Sequence, residues 1–304
     1  MGDHALPKKT REIRNRIFDS TLWNGFEFRD DDVIVAAPPK GGTTWTQQIV
    51  GQLLSGGRDG YVAGESHWLE MVAEEDCREE LREQKSRRFM KTHLPVDALV
   101  FDGAAKYVYV ARDIRDMVWS AYNHFSSFTE TKLARINRPE LDFPPFVPIT
   151  ADVRTYYNQF MAGDGTYFAG GFSIWEQVRS WWAIRHLPNV VFVHYNELKA
   201  DLPAQIRRIA GHIGVAIDDA ALPRLAEHCH IDYVRKVAGE SEFSRIFART
   251  FTNGVGTFFN KGTNGRWKNV LSAEEIAKAD EVAERELPAA CAHWLRTGEM
   301  PDGE

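Results

Sequence analysis

The chain has 304 residues, 43% of them apolar, and a formal net charge of −6. That length holds one large α/β domain or two small ones and can bury a substantial core, while the acidic balance gives no support for nucleic-acid binding over the whole surface. The three cysteines, Cys77, Cys229 and Cys291, are widely spaced with no CxxC, which argues against a disulfide framework or a zinc site and fits a reducing compartment.

Met1 to Phe18 is charged and polar and has no apolar core of signal-peptide length. No uninterrupted apolar run approaches the ~20 residues that span a bilayer. A soluble, cytoplasmic protein without an integral membrane segment is expected. No repeat of fixed period is visible. Strands are predicted at Val33–Ala37, Arg88–Lys91, Lys106–Ala111 and Val190–Tyr195. Between them helical patterns cover Thr43–Leu54, Asp113–Phe125 and Ile174–Arg185, and Pro203–Ile213, Asp218–His228, Ser272–Val282 and Arg285–Leu295 follow. Short, nearly continuous apolar strands alternating with helices predict a single α/β domain over 1–304, with a central parallel sheet flanked by helices. Asn137–Thr150, with four prolines, and Gly163–Gly171 read as loops. Residues 126–172 are therefore expected to supply a lid and the walls of a pocket. Phe251–Asn269 reads as a glycine-rich coil, basic at its end.

The first strand runs into Ala37-Pro38-Pro39-Lys40-Gly41-Gly42-Thr43-Thr44-Trp45 and then a helix. A strand, a glycine turn and a helix start with free N–H groups make an anion cradle. Lys40 precedes the glycines and no GxxxxGK[ST] occurs, so this is a relative of the Walker loop rather than one. Lys91-Thr92-His93-Leu94-Pro95 follows the second strand. An imidazole there, with an ordinary pKa near ~6.5, can accept a proton from a hydroxyl nucleophile. Arg112 ends the third strand, and Ser120 lies near two turns along the next helix; a guanidinium fork and a hydroxyl suit phosphate. The competing reading pairs Arg112 with Asp113 or Asp116 as a solvated ion pair. Asn260 to Lys268, with three cations and two glycines, can wrap a second phosphate or be a flexible loop. In an open parallel sheet, ligands sit outside the carboxyl ends of the strands. The cradle, Lys91–His93 and Arg112 share that placement.

Taken in order, these motifs, with Trp181-Trp182, Tyr195-Asn196-Glu197-Leu198 and Lys261-Gly262-x-x-Gly265-x-Trp267-Lys268, resemble the soluble, cytosolic-type sulfotransferases, which use 3′-phosphoadenosine 5′-phosphosulfate (PAPS) as sulfuryl donor. The resemblance runs from about Asp30 to Lys268 and includes bacterial members acting on lipid or aromatic hydroxyls. It implies a P-loop-like sulfotransferase fold, PAPS as co-substrate with the desulfated nucleotide PAP as product, and no metal. Lys40, Gly41, Gly42, Thr43 and Thr44 would hold the 5′-phosphate side, Trp45 would stack on adenine, and Lys40 and Lys91 would stabilise charge at the sulfuryl group. His93 would be the general base. Arg112 and Ser120 would bind the 3′-phosphate, Tyr195 would sit near the nucleotide, and Asn260-Lys261-Gly262 would close over the 3′-phosphate.

The chain departs from the family pattern at four places. Gly41 replaces the usual serine. The Ser-Phe pair that helps bind adenine falls near His230-Ile231. The usual Arg-Lys-Gly reads Asn260-Lys261-Gly262. In the short dimer motif Lys268 and Ser272-Ala273 fit but Ala277 stands at the glutamate position, so a dimer has no full motif behind it.

The expected partner is a small, apolar hydroxyl acceptor: an alcohol, phenol or glycolipid. Its pocket is expected from Phe125, Phe146, Tyr167 and Phe168, with Tyr156, Tyr157 and Phe160 nearby; packing under a lid explains the same aromatics. The chemistry agrees with the resemblance, because in-line sulfuryl transfer needs positioning and charge stabilisation, which two lysines and a helix N-terminus supply. Two alternatives stay open: a catalytically weak PAPS- or PAP-binding protein of the same fold, and a P-loop phosphotransferase, which would depend on magnesium.

Overall fold

The computed structural model describes residues 5–72, 77–163 and 171–301. Its sheet holds four parallel strands, β1 (Val33–Ala36), β2 (Phe89–Thr92), β3 (Lys106–Ala111) and β4 (Val190–His194), in the order β2-β1-β3-β4. Ala36 lies opposite Thr92 on one side and Tyr109 on the other, and Ala111 lies opposite His194. β1 is paired on both edges and covered on both faces. All of its residues are buried, which is why its sequence shows no polar alternation.

Side chains of period two divide the core. Ile34, Ala36, Met90, Tyr107, Tyr109 and Phe192 face one side; Val33, Val35, Phe89, Val108, Val110 and Val193 face the other. The second face is covered by α1 (Thr43–Leu54), α8 (Leu202–Ile213) and α9 (Leu222–His228). The first is covered by α3 (Ile114–Phe125), α5 (Val153–Ala162), α6 (Ile174–Ala183), α13 (Ala273–Glu286) and α14 (Ala289–Thr297). The remaining helices are α2 (Arg78–Glu83), α4 (Glu130–Ile136), α7 (Tyr195–Ala200), α10 (Ile231–Glu240), α11 (Phe243–Thr250) and α12 (Val255–Phe258). The last three gather an aromatic satellite around Phe247, Phe251 and Phe259.

From β1 the chain reaches β2 on one side through α1, then crosses to β3 on the other. The loops leaving β1 and β3 therefore diverge, and the crevice between them is where open α/β sheets take ligands.

The elements differ from the sequence reading in instructive places. Residues 126–172 are not loops throughout. Thr129 caps α4 by accepting from the Lys132 N–H, and Asp152 caps α5 by accepting from the N–H groups of Arg154 and Thr155. Residues 137–150 are irregular, as expected, but tethered: buried Arg16 donates to the carbonyls of Pro144 (2.7 Å), Arg138 (3.2 Å) and Phe143. Arg285 lies in the last turn of α13 rather than opening the next helix, because Pro288 separates α13 from α14. The predicted helix at Asp218 starts only at Leu222, since the Asp218 carboxylate accepts from the Ala220 N–H in a turn. A helical turn, α12, interrupts the coil predicted over Phe251–Asn269.

Candidate functional site

The β1–α1 loop, residues 37–42, is closed by a turn in which the Gly41 N–H donates to the Pro38 carbonyl (2.9 Å). Lys40 has φ 70°, a left-handed conformation costly for a side-chain-bearing residue and often kept at functional sites. Gly42 has φ 123° and caps α1. A Cβ there would meet Tyr195 at 3.1 Å and Val110 at 3.2 Å. At Gly41 a Cβ would lie 3.0 Å from Pro38, so the departure from serine also relieves crowding inside the turn. The first N–H groups of α1, at Thr43 to Trp45, have no intrahelical acceptor by helix geometry, and no side chain caps them. Trp45 is fixed from both sides: its Nε1–H donates to the Cys229 carbonyl (2.8 Å) and its ring meets Tyr195 edge-on at 5.1 Å.

At the end of β2, His93 is 8% exposed. Its Nδ1 lies 2.7 Å from the carbonyl of Ala37, the residue that opens the β1–α1 loop. Burial, then the charge of Lys91 and, more weakly, that of Lys40, push the imidazole down to about 3, against the opposing effect of the Ala37 contact. The ring is therefore neutral near neutral pH. A neutral imidazole donating Nδ1–H to a carbonyl leaves the Nε2 lone pair free to accept a proton. Trp68 stands edge-on to His93 at 5.0 Å and under the Lys91 ammonium at 4.3 Å.

A residue that sequence reasoning missed organises this corner. Glu70 is fully buried. Its carboxylate accepts from the indoles of Trp23 (2.8 Å) and Trp68 (2.7 Å), the Thr92 hydroxyl (3.0 Å) and the His93 backbone N–H (2.8 Å). Burial raises its pKa despite these donors. No local pattern marks it; its donors come from 2 to 47 residues away.

Lys40 completes the electrostatics. Burial, with the charges of Lys91 and Arg112 adding, lowers its amine to about 7. Its Nζ donates to Nδ1 of His124 at 3.1 Å and lies 5.5 Å from the centre of the Phe258 ring. His124 was also missed, although it lies one turn beyond Ser120 on α3, a spacing that places both on one helix face.

Arg112, at the end of β3, lies over the Tyr195 ring at 4.3 Å and donates to the Thr263 carbonyl (2.9 Å) and the Asn264 side chain (2.5 Å). The ion-pair reading is met only in part: Asp116 is 3.7 Å away, but the pair is buried rather than solvated, and Asp113 pairs with Arg115. Among the described residues Arg112 Nε is a buried donor without a partner. An orphaned guanidinium N–H beside a cradle of backbone N–H groups fits an anionic oxygen. Trp45, Tyr195 and Arg112 thus form one contiguous wall, and Lys40, Lys91 and His93 share one electrostatic environment.

The other candidates are more dispersed. Ser120 is half-buried on α3. The Asn260 side chain folds back on the adjoining backbone, accepting from the Lys261 N–H at 2.7 Å, and Arg235 holds the Asn260 carbonyl at 2.6 Å. Lys261 is exposed, and Gly262, at φ 62°, faces Ile231. Phe125 and Phe146 are buried, packed on each other and on Phe128; here they serve as core, the packing alternative raised by the sequence. Tyr167 and Phe168 lie outside the described residues. Among the described residues no group of three or more His, Cys, Asp or Glu is arranged to hold a metal, and no helix is long and apolar enough to cross a membrane.

A family model described as the sulfotransferase domain matches residues 30–290. The chain belongs to the sulfotransferase family. Among the relatives of this sulfotransferase is a glycolipid sulfotransferase of Mycobacterium bovis (strain BCG / Pasteur 1173P2), 30% identical over 312 residues, covering 94% of each chain. Sulfotransferase 1B1 of Canis lupus familiaris is 26% identical over 274 residues, covering 86% of this chain and 85% of its own. The structure of mouse sulfotransferase SULT7A1 complexed with PAP superposes with a TM-score of 0.69 at 20% identity, covering 91% of both chains, and shares the fold.

Proposed function

We propose that this sulfotransferase moves the sulfuryl group of PAPS to the hydroxyl of a small alcohol, phenol or glycolipid, with His93 as general base. The observation that carries the reading is the His93 ring. Tied by Nδ1 to the carbonyl that opens the Lys40–Trp45 loop, it keeps Nε2 available beside two lysines.

The residues fit the donor. Trp45 and Tyr195 offer rings to adenine, and the orphaned Arg112 Nε, with Ser120 and Lys261-Gly262, would take the 3′-phosphate. The N–H groups of Thr43 to Trp45 and the Lys40 ammonium would take the 5′ side. As the acceptor oxygen bonds to sulfur, the bond from sulfur to the 5′-phosphate oxygen breaks. The acceptor proton goes to His93 Nε2, and Lys40 and Lys91 neutralise the charge gathering on the departing phosphate, which leaves as PAP. The arriving anion also offsets the field of these lysines, which moves the His93 pKa up toward the range where a base is effective. The relationship to a glycolipid sulfotransferase supports a lipid-bearing acceptor, and residues 126–172 would form its side of the crevice.

Incubation with radiolabelled PAPS and a panel of alcohols, phenols and glycolipids tests the reading. A labelled ester supports it; tight PAP binding with no ester from any acceptor leaves a binding protein instead.

A further inference from the structure

One polar group at the crevice has no part in that chemistry. His124 emerges from α3 into a cage of phenylalanines: its ring lies 4.9 Å from Phe125, 5.3 Å from Phe128, 4.8 Å from Phe251 and 6.0 Å from Phe258, measured between centres. These rings come from α3, the α3–α4 turn, the end of α11 and α12, so the imidazole is clamped from several directions. An imidazole in such surroundings is costly unless it has a partner, and the partner present is the Lys40 ammonium. Burial, followed by the charges of Lys40, Lys132 and Lys91 and by His93, holds His124 well below its ordinary pKa, so it is a neutral acceptor.

Lys40 needs such an acceptor. Its backbone is left-handed, its side chain is long and costly to order, and Lys91 and Arg112 repel its charge. We propose that His124 is a positioning residue for Lys40, its Nδ1 holding the ammonium at the donor end of the crevice where charge develops during transfer. The role rests on the reading of Lys40 as a stabiliser of the departing phosphate, but the contact itself can be tested apart from it.

Two readouts on the full chain decide the matter. The first is the lysine spectrum of protein labelled with [ε-13C]lysine, with the Lys40 resonance assigned by its loss in Lys40→Met. Lys91 and Arg112 also set the Lys40 titration, and His93 and Lys132 face His124; all are left intact. In His124→Phe, which preserves the aromatic packing, the Lys40 resonance should move and titrate lower, because the ammonium has lost its acceptor. In His124→Asn, whose side-chain oxygen can stand in for Nδ1, it should return toward wild type, whereas His124→Gln should not restore it. The second readout is turnover of PAPS on any acceptor found active. His124→Phe should lower kcat about 10- to 100-fold, the scale of one charged hydrogen bond, with less effect on the KM for PAPS. The loss should nearly vanish in a Lys40→Met background. A Lys40 resonance unmoved in His124→Phe, or a turnover loss undiminished without Lys40, overturns the proposal. A wild-type protein that binds PAP but transfers to nothing would instead count against the reaction, and the spectrum would still decide the role of His124.

Discussion

The lowered amine of Lys40 makes donor binding a proton-uptake reaction. In the free protein the amine sits at about 7 because burial strips its solvent and Lys91 and Arg112 repel its charge. A bound phosphate reverses that balance and raises it well above the working range. Above pH 7, binding must therefore load a proton onto Lys40. With a folded-state value of about 7, affinity for PAP falls about 25-fold between about pH 7.5 and about pH 9, close to tenfold per unit at the upper end. Few other groups confuse that window. The nucleotide phosphates, with second pKa values near ~6, are already ionised, and His93 is neutral throughout, its ring held at about 3. Calorimetry of PAP binding in buffers of different ionisation enthalpy reads the uptake directly, and it should approach one proton at about pH 8.5. Lys40→Met should bind more weakly at low pH, take up no such proton and lose the slope. A flat affinity profile in the native protein, or an equal slope in Lys40→Met, would refute the reasoning.

Glu70→Leu leaves two indoles, a hydroxyl and the His93 N–H without their acceptor. It should cost about 3–5 kcal/mol and lower the melting midpoint by roughly 6–20 °C in calorimetry. Gly42→Ala forces a Cβ against Tyr195 and Val110 at a backbone angle that favours glycine. PAP affinity should fall about tenfold or more by calorimetry, for about 1–3 kcal/mol of strain. Arg112→Met removes the buried donor but keeps the stem; affinity for PAP should drop while affinity for an analogue lacking the 3′-phosphate changes little, since one charged hydrogen bond is worth about 1.5–3 kcal/mol.

Parts of the fold were legible because one physical signal dominated. Val33–Ala36 and 107–111 are buried runs without polar alternation, which only a strand covered on both faces demands. Thr43–Leu54 was bounded by the glycines that its start requires. Lys40, Lys91–His93 and Arg112 were legible together because parallel strands send their carboxyl ends to one edge. Contacts made over long sequence distances were not legible. Glu70 reaches Trp23, 47 residues away, and Arg112 finds Thr263, 151 residues on. Aromatic density does not choose between uses: Phe125 and Phe146 are buried against Phe128, and a phenylalanine suits a core and a pocket equally well. The helices α4 and α5 were hidden by the prolines between them, although Thr129 and Asp152 were available as caps.

The central claim is that an imidazole facing the Lys40 loop draws the proton from an acceptor hydroxyl while sulfur changes partners. Radiolabel transfer from PAPS by the native chain and by His93→Ala, measured beside PAP affinity, tests it most directly. The account predicts labelled ester from the native chain, and a loss of about 10²–10⁴-fold in His93→Ala with nucleotide affinity preserved. Equal transfer by both proteins would contradict it.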